Sequence, residues 1–169
     1  MQSSDRQLRC PCCGERFLLS EALPADDGGV QPQSQAIPED RVPITLIFDG
    51  GSSGNPGQGY GSYQLTVRGK VEQPKRLQFS PQHTNNEAEY DTLIAALEAI
   101  VRRAKDPRRV DLDIHGDSQL VINQINGQWK VRDPRMQERV RRVHALLSQL
   151  GSWRAAWHDR ANSLKVLGH

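Results

Sequence analysis

The stretch ITLIFDGGSSGNPGQGYGSYQL, residues 44–65, decides how the chain is read. Ile44, Leu46 and Phe48 alternate with Thr45 and Ile47, all types that favour extended backbone, so the run predicts a strand with one buried face and a second that is mostly apolar. That strand ends on a carboxylate, Asp49. Gly50, Gly51, Gly54, Asn55, Pro56, Gly57 and Gly59 then supply turn residues before Tyr60, Tyr63, Leu65 and Val67 resume an extended pattern, the signature of a hairpin. Asp before Gly is also an ordinary turn pair. What gives Asp49 another meaning lies further along the chain.

A chain of 169 residues suffices for one domain with a real core plus an appendage. Apolar runs stay far short of the roughly 18 residues of a membrane helix, and the N-terminus has no apolar core of a signal peptide. The expectation is a cytoplasmic, membrane-free protein, most simply a monomer. A net charge of +2 is too small to argue for nucleic acid by itself, so the placement of charge must carry that argument.

All three cysteines fall in Cys10-Pro11-Cys12-Cys13-Gly14. Cys10 and Cys13 have the spacing of a zinc knuckle, but they are half of a tetrahedral site and no second pair follows. Either another group completes a Zn2+ site or the turn is degenerate. Residues 24–43 turn to Pro, Gly, Gln, Asp and Ser with little to bury, which reads as a linker. The expected organisation is a knuckle-like segment at 1–22, a flexible linker at 23–41 and the main domain at 42–169.

Past the hairpin, KRLQFS at residues 75–80 fits a short strand. Tyr90, Leu93, Ile94, Leu97, Ile100 and Val101 then recur at helical steps, and Thr84 with Glu87 forms a capping box that fixes the helix start. Glu87 thereby has a structural role. Glu89 has none, and it lies at the border of the buried stripe, where an acid is costly unless it binds something. Val110, Leu112 and Ile114 alternate as a half-buried strand that runs into a further acid, Asp117, which either caps the following helix or serves chemistry. Asp133-Pro134 opens another helix, Trp153, Ala155 and Trp157 mark a last strand, and a helical piece runs from Arg160 to His169. The order of elements describes an α/β fold, a mixed sheet flanked by helices.

Two strands running into Asp49 and Asp117, if adjacent, bring those carboxylates together, with Glu89 leaning over them. Clustered carboxylates repel unless a divalent cation neutralises them, and all-oxygen ligation favours Mg2+ or Mn2+. Two-metal phosphodiester hydrolysis has this requirement.

The segments Phe48-Asp49-Gly50-Gly51-Ser52 with Gly54-Asn55-Pro56-Gly57, Thr84-Asn85-Asn86 with Glu89, and Gly116-Asp117-Ser118-Gln119 resemble, in order and separation, the signature motifs of type 1 ribonuclease H. The resemblance covers about three quarters of the chain. It implies the ribonuclease H-like fold, with a five-stranded mixed sheet, and hydrolysis of the RNA strand of an RNA-DNA hybrid to 5'-phosphate and 3'-hydroxyl ends. It implies Asp49, Glu89 and Asp117 as catalytic metal ligands, with Gly50, Gly51, Asn55, Thr84, Asn85, Asn86 and Gln119 on the hybrid. Short amides and a hydroxyl suit the 2'-hydroxyls and base edges of a wide, A-like minor groove.

The chain departs from the family at its fourth acid, where Asn162 leads to Val166. His169, three residues on and on the same face if the helix continues, is the favoured replacement, with Asp159 as the alternative and a missing ligand as the third reading. The basic loop that some members place between two helices is also short here, which leaves the Arg135, Arg139 and Arg142 face or the knuckle to hold phosphates. A hybrid-binding or double-stranded-RNA-binding module of weakened catalysis is the competing reading.

Overall fold

The computed structural model describes residues 7–9, 16–18 and 40–168. Contacts divide the chain into two units, Met1–Ala36 and Ile37–His169. In the first, β1 (Gln7–Arg9) pairs antiparallel with β2 (Arg16–Leu18). Cys10 and Cys13 lie outside the described residues.

The second unit is built on β3 (Val42–Gly54) and β4 (Gly57–Val67), antiparallel strands closed at Gly54 and Gly57 around Asn55 and Pro56. β5 (Lys70–Val71) and β6 (Lys75–Gln78) both pair with β4. The sheet runs β5-β4-β3-β7-β8, in which β7 is Val110–Gly116 and β8 is Ser152–Trp157. β7 lies parallel to both β3 and β8, so the sheet is mixed. Five strands match the sequence reading, and the two-residue β5 is an addition too short to leave a pattern.

Parallel neighbours need crossovers, and helices supply them. α1 (Asn85–Arg103) joins the hairpin side to β7, while α2 (Gln119–Ile125) and α3 (Pro134–Leu147) join β7 to β8; α4 (Arg160–Leu167) follows. Ile44, Leu46 and Phe48 on β3 and Val110, Leu112 and Ile114 on β7 are buried, as period-two alternation requires, and meet Tyr90, Leu93, Leu97 and Ile100 of α1. Each of these large apolar side chains stabilises the fold by about 2 kcal/mol when removed from water.

Thr84 caps α1 as the sequence predicts: its Oγ1 accepts from Glu87 N, and Glu87 Oε2 accepts from Thr84 N at 2.9 Å. Asp117 is not a cap. That role at α2 belongs to Ser118, whose hydroxyl accepts from Val121 N. Three arginines of α3 have acidic partners, on α1 and at the start of α3 itself, where Asp133 lies 2.9 Å from Arg135. Arg139 grips Asp91 through Nε at 2.9 Å and Nη2 at 3.0 Å, Arg135 lies 3.4 Å from Glu87, and Arg142 pairs with Glu98.

Candidate active site

In the β3/β7 register Phe48 stands opposite Gly116, and this is the last pair. Asp49 and Asp117 are the next residues on each strand, so parallel pairing sets them side by side. Gly50 lets α1 come close, since a Cβ there would stand 2.6 Å from the backbone of Ala88 and Glu89. The helix thereby delivers Glu89 to the two aspartates, and ligand oxygens of all three lie within 4.8 Å of one another.

Electrostatics make this group unhappy when bare. Burial, then repulsion from Asp117 and Asp49, pushes the Glu89 carboxyl up to about 7, against help from Ser118 and Arg160. Burial and the neighbouring Asp49 likewise raise Asp117. Glu89 Oε2 is buried with no hydrogen-bond partner. A buried carboxylate oxygen without a donor, beside two further acids, is a position that a divalent cation would satisfy.

The surrounding residues knit the hairpin tip to the start of α1. Ser52 N donates to Asn85 Oδ1 at 2.9 Å, and Asn85 N donates to Asn55 Oδ1 at 3.2 Å. Asn55, Thr84, Asn85 and Asn86 line a cavity of about 400 Å³ together with Lys130, Arg132 and Arg135. Gln119 is exposed at the first turn of α2. Gly51 packs on the hairpin, where a Cβ would meet the Tyr60 hydroxyl at 2.7 Å.

A family model described as reverse transcriptase-like matches residues 48–165. The chain belongs to that family. Among relatives of this ribonuclease H-like group, the ribonuclease HI of Halobacterium salinarum is 36% identical over 120 residues, 71% of this chain and 58% of that protein. The bifunctional protein Rv2228c of Mycobacterium tuberculosis is 36% identical over 121 residues, 71% of this chain and 32% of its own length. The chain thus spans between a third and three fifths of these relatives. The solved Halobacterium salinarum ribonuclease H1 superposes with a TM-score of 0.66 at 34% identity, covering 73% of this chain and 91% of that one. The ribonuclease H domain of Rv2228c gives 0.66 at 30% identity, covering 74% and 88%. The main unit therefore has the ribonuclease H fold.

Val166, which the motif resemblance sets at the family's fourth acid, lies within α4. The helix stops at Leu167, and Gly168 caps it in the left-handed region at φ 75. His169, the favoured fourth ligand of the sequence reading, lies outside the described residues. Asp159 is occupied as the cap of α4, accepting from Ala161 N at 2.8 Å.

Sequence reasoning gave no role to three residues near the acids, Trp157, His158 and Arg160, or to Trp129 in the 126–133 connection. Arg160 is exposed, forms no ion pair among the described residues, and its charge reaches both Glu89 and Asp117. The Trp157 indole donates to Asp117 O at 3.0 Å. His158 stacks on His115 with centroids 6.0 Å apart and meets Ser163 Oγ at 2.8 Å; burial and His115 lower its pKa. Trp129, half exposed, sits between α2 and α3 ahead of Lys130 and Arg132. The signal for three of them is the run Trp-His-Asp-Arg at residues 157–160, at the end of the last strand.

Proposed function

We propose that this chain is a divalent-cation-dependent endoribonuclease that hydrolyses the RNA strand of RNA-DNA hybrids, leaving 5'-phosphate and 3'-hydroxyl ends. The observation that carries the reading is the cluster of the Asp49, Glu89 and Asp117 carboxylates, with its buried, donorless Glu89 oxygen. The hard oxygen set favours two Mg2+ or Mn2+ ions held by these acids and the scissile phosphate, with His169 as the proposed further ligand. Bound there, such ions would activate water and stabilise the leaving oxygen.

The chain's own residues do the rest. Asp49 and Asp117, fixed by strand pairing, set the position of the reacting phosphate, and Arg160 adds positive charge where the phosphorane-like charge develops. Asn55, Asn85, Asn86 and Thr84 offer donors and acceptors to the minor groove, with Gln119 beyond them. Lys130 and Arg132 carry no ion pair among the described residues and, with the exposed Trp129, face backbone phosphates in place of a longer basic loop. A Zn2+ knuckle at Cys10 and Cys13 and a monomeric state remain part of this proposal.

A second reading, a hybrid-binding module of weakened catalysis, rests on the resemblance, which sets Val166 of α4 where the family carries an acid. A labelled hybrid incubated with Mg2+ or Mn2+ separates the two. Cleavage that Asp49→Asn abolishes supports the nuclease, whereas retained binding with no cleavage in either metal supports the module.

A further inference from the structure

At the opposite pole of the sheet from the carboxylates, a cavity of about 340 Å³ opens between the start of β3, the end of β4, the end of α1 and the start of β7. Val42, on its wall, precedes Asp49 by seven residues of strand, roughly 23 Å at the usual rise. The two places are separate sites on one domain.

The floor is apolar, made by Val42, Ile44, Leu65, Val67, Ile100 and Val110. The rim is cationic, with Arg68, Arg103, Lys105 and Arg109 against the single acid Asp106. Not all of this charge is available. Arg103 is held by Glu72 at 2.6 Å, Arg109 by Asp40 at 2.8 Å, and Asp106 accepts from Arg108 N at 3.1 Å as a local cap. Arg68 and Lys105 have no ion pair among the described residues, so against Asp106 the rim keeps an excess of positive charge.

Arg68 is also placed at a cost. Among the described residues it is the one non-glycine with positive φ, at 50°, in the turn it forms with Gly69 between β4 and β5. Such turns ordinarily take Asn, Asp or Gly, because a Cβ is disfavoured there. The turn therefore does not explain an arginine, but a ligand at the mouth does.

We propose that this cavity binds a small amphiphilic anion, its alkyl or aromatic body on the valine, leucine and isoleucine floor and its one carboxylate or sulfonate between Arg68 and Lys105. An inorganic anion would leave the floor wet, and a neutral hydrocarbon would leave the excess positive charge of the rim unmatched. The volume lies in the range of small-molecule sites with an apolar lining and few polar contacts. This inference does not depend on the nuclease reading.

The test titrates the full chain with 1-anilinonaphthalene-8-sulfonate and follows its fluorescence. The expected result is saturable binding of one probe per chain, displaced by decanoate and not by decanol at the same concentration. Replacing both cations, Arg68→Gln with Lys105→Gln, should weaken probe binding about tenfold, the loss of a charge-assisted contact. Ala104→Phe, which fills the cavity from its half-buried wall, should abolish binding without lowering the thermal midpoint. Unsaturable fluorescence, unchanged affinity in the double variant, or equal displacement by decanol would overturn the proposal. So would displacement of the probe by an RNA-DNA hybrid, which would put the probe at the other pole.

Discussion

Replacing Glu89 by Gln in metal-free protein removes a charge that the fold resists, and the size of the effect follows from the site. In the folded chain the carboxyl is raised from 4.5 to about 7, first by burial and then by Asp117 and Asp49. A group whose folded value lies above its unfolded one holds its proton more tightly when folded. Its contribution is complete below about pH 4.5 and is lost as pH rises through about 7. A rise of this size corresponds to about 3 kcal/mol. Urea denaturation in the presence of a chelator, at pH 5 and pH 8, should therefore show wild-type protein losing stability toward pH 8, with Asp117 adding in the same direction. Glutamine keeps the shape and an acceptor for Ser118 but cannot ionise. Glu89→Gln should be more stable than wild type at pH 8 by about 3 kcal/mol, within about 1 kcal/mol of it at pH 5, and inactive at both. Adding Mg2+ or Mn2+ should restore wild-type stability at pH 8 and leave the variant unmoved. Identical midpoints for the two proteins at pH 8 would refute the reasoning, because Glu89 would then carry no desolvation penalty.

Gly50→Ala should cost about 1–3 kcal/mol by forcing α1 away from β3, and calorimetry should find divalent-cation binding weakened as Glu89 retreats with the helix. Asp91→Ala strips the partner of both Arg139 and His83, and the urea midpoint should report a loss of about 2 kcal/mol. Lys130→Gln and Arg132→Gln should each flatten the dependence of hybrid affinity on salt by about 0.9 in log-log slope; an unchanged slope would remove them from the phosphate contacts.

Much of this was legible in the sequence because strand and helix periods are local. Ile44 to Phe48 and Val110 to Ile114 announce their buried faces, and Thr84 with Glu87 announces a helix start. The meeting of Asp49, Glu89 and Asp117 followed from ordered motifs and not from any single one. What stayed hidden depends on tertiary partners. Nothing local to Arg135, Arg139 and Arg142 reveals that α1 carries Glu87, Asp91 and Glu98 opposite them, so they read as a free basic face. Ser118 and Asp117 are both able caps, and only the strand register decides that the serine takes the job. Arg160 is one exposed arginine among many until the chain folds it toward the acids. The last helix ends at Leu167 with Gly168 in the left-handed region as its cap, a stop that the helical pattern alone did not announce.

The parallel pairing of β3 with β7 also dictates where this domain can change length. Side chains alternate across a sheet with a period of two residues, so one residue inserted between Val42 and Phe48 would turn Asp49 to the opposite side while Asp117 stayed put. Extra residues between Gly54 and Gly57, or in the 126–133 connection, lie outside that alternation and leave both acids where they are. Lengthening by evolution or by engineering is thus confined to the loops, where it can enlarge the grip on a ligand without moving the reactive centre.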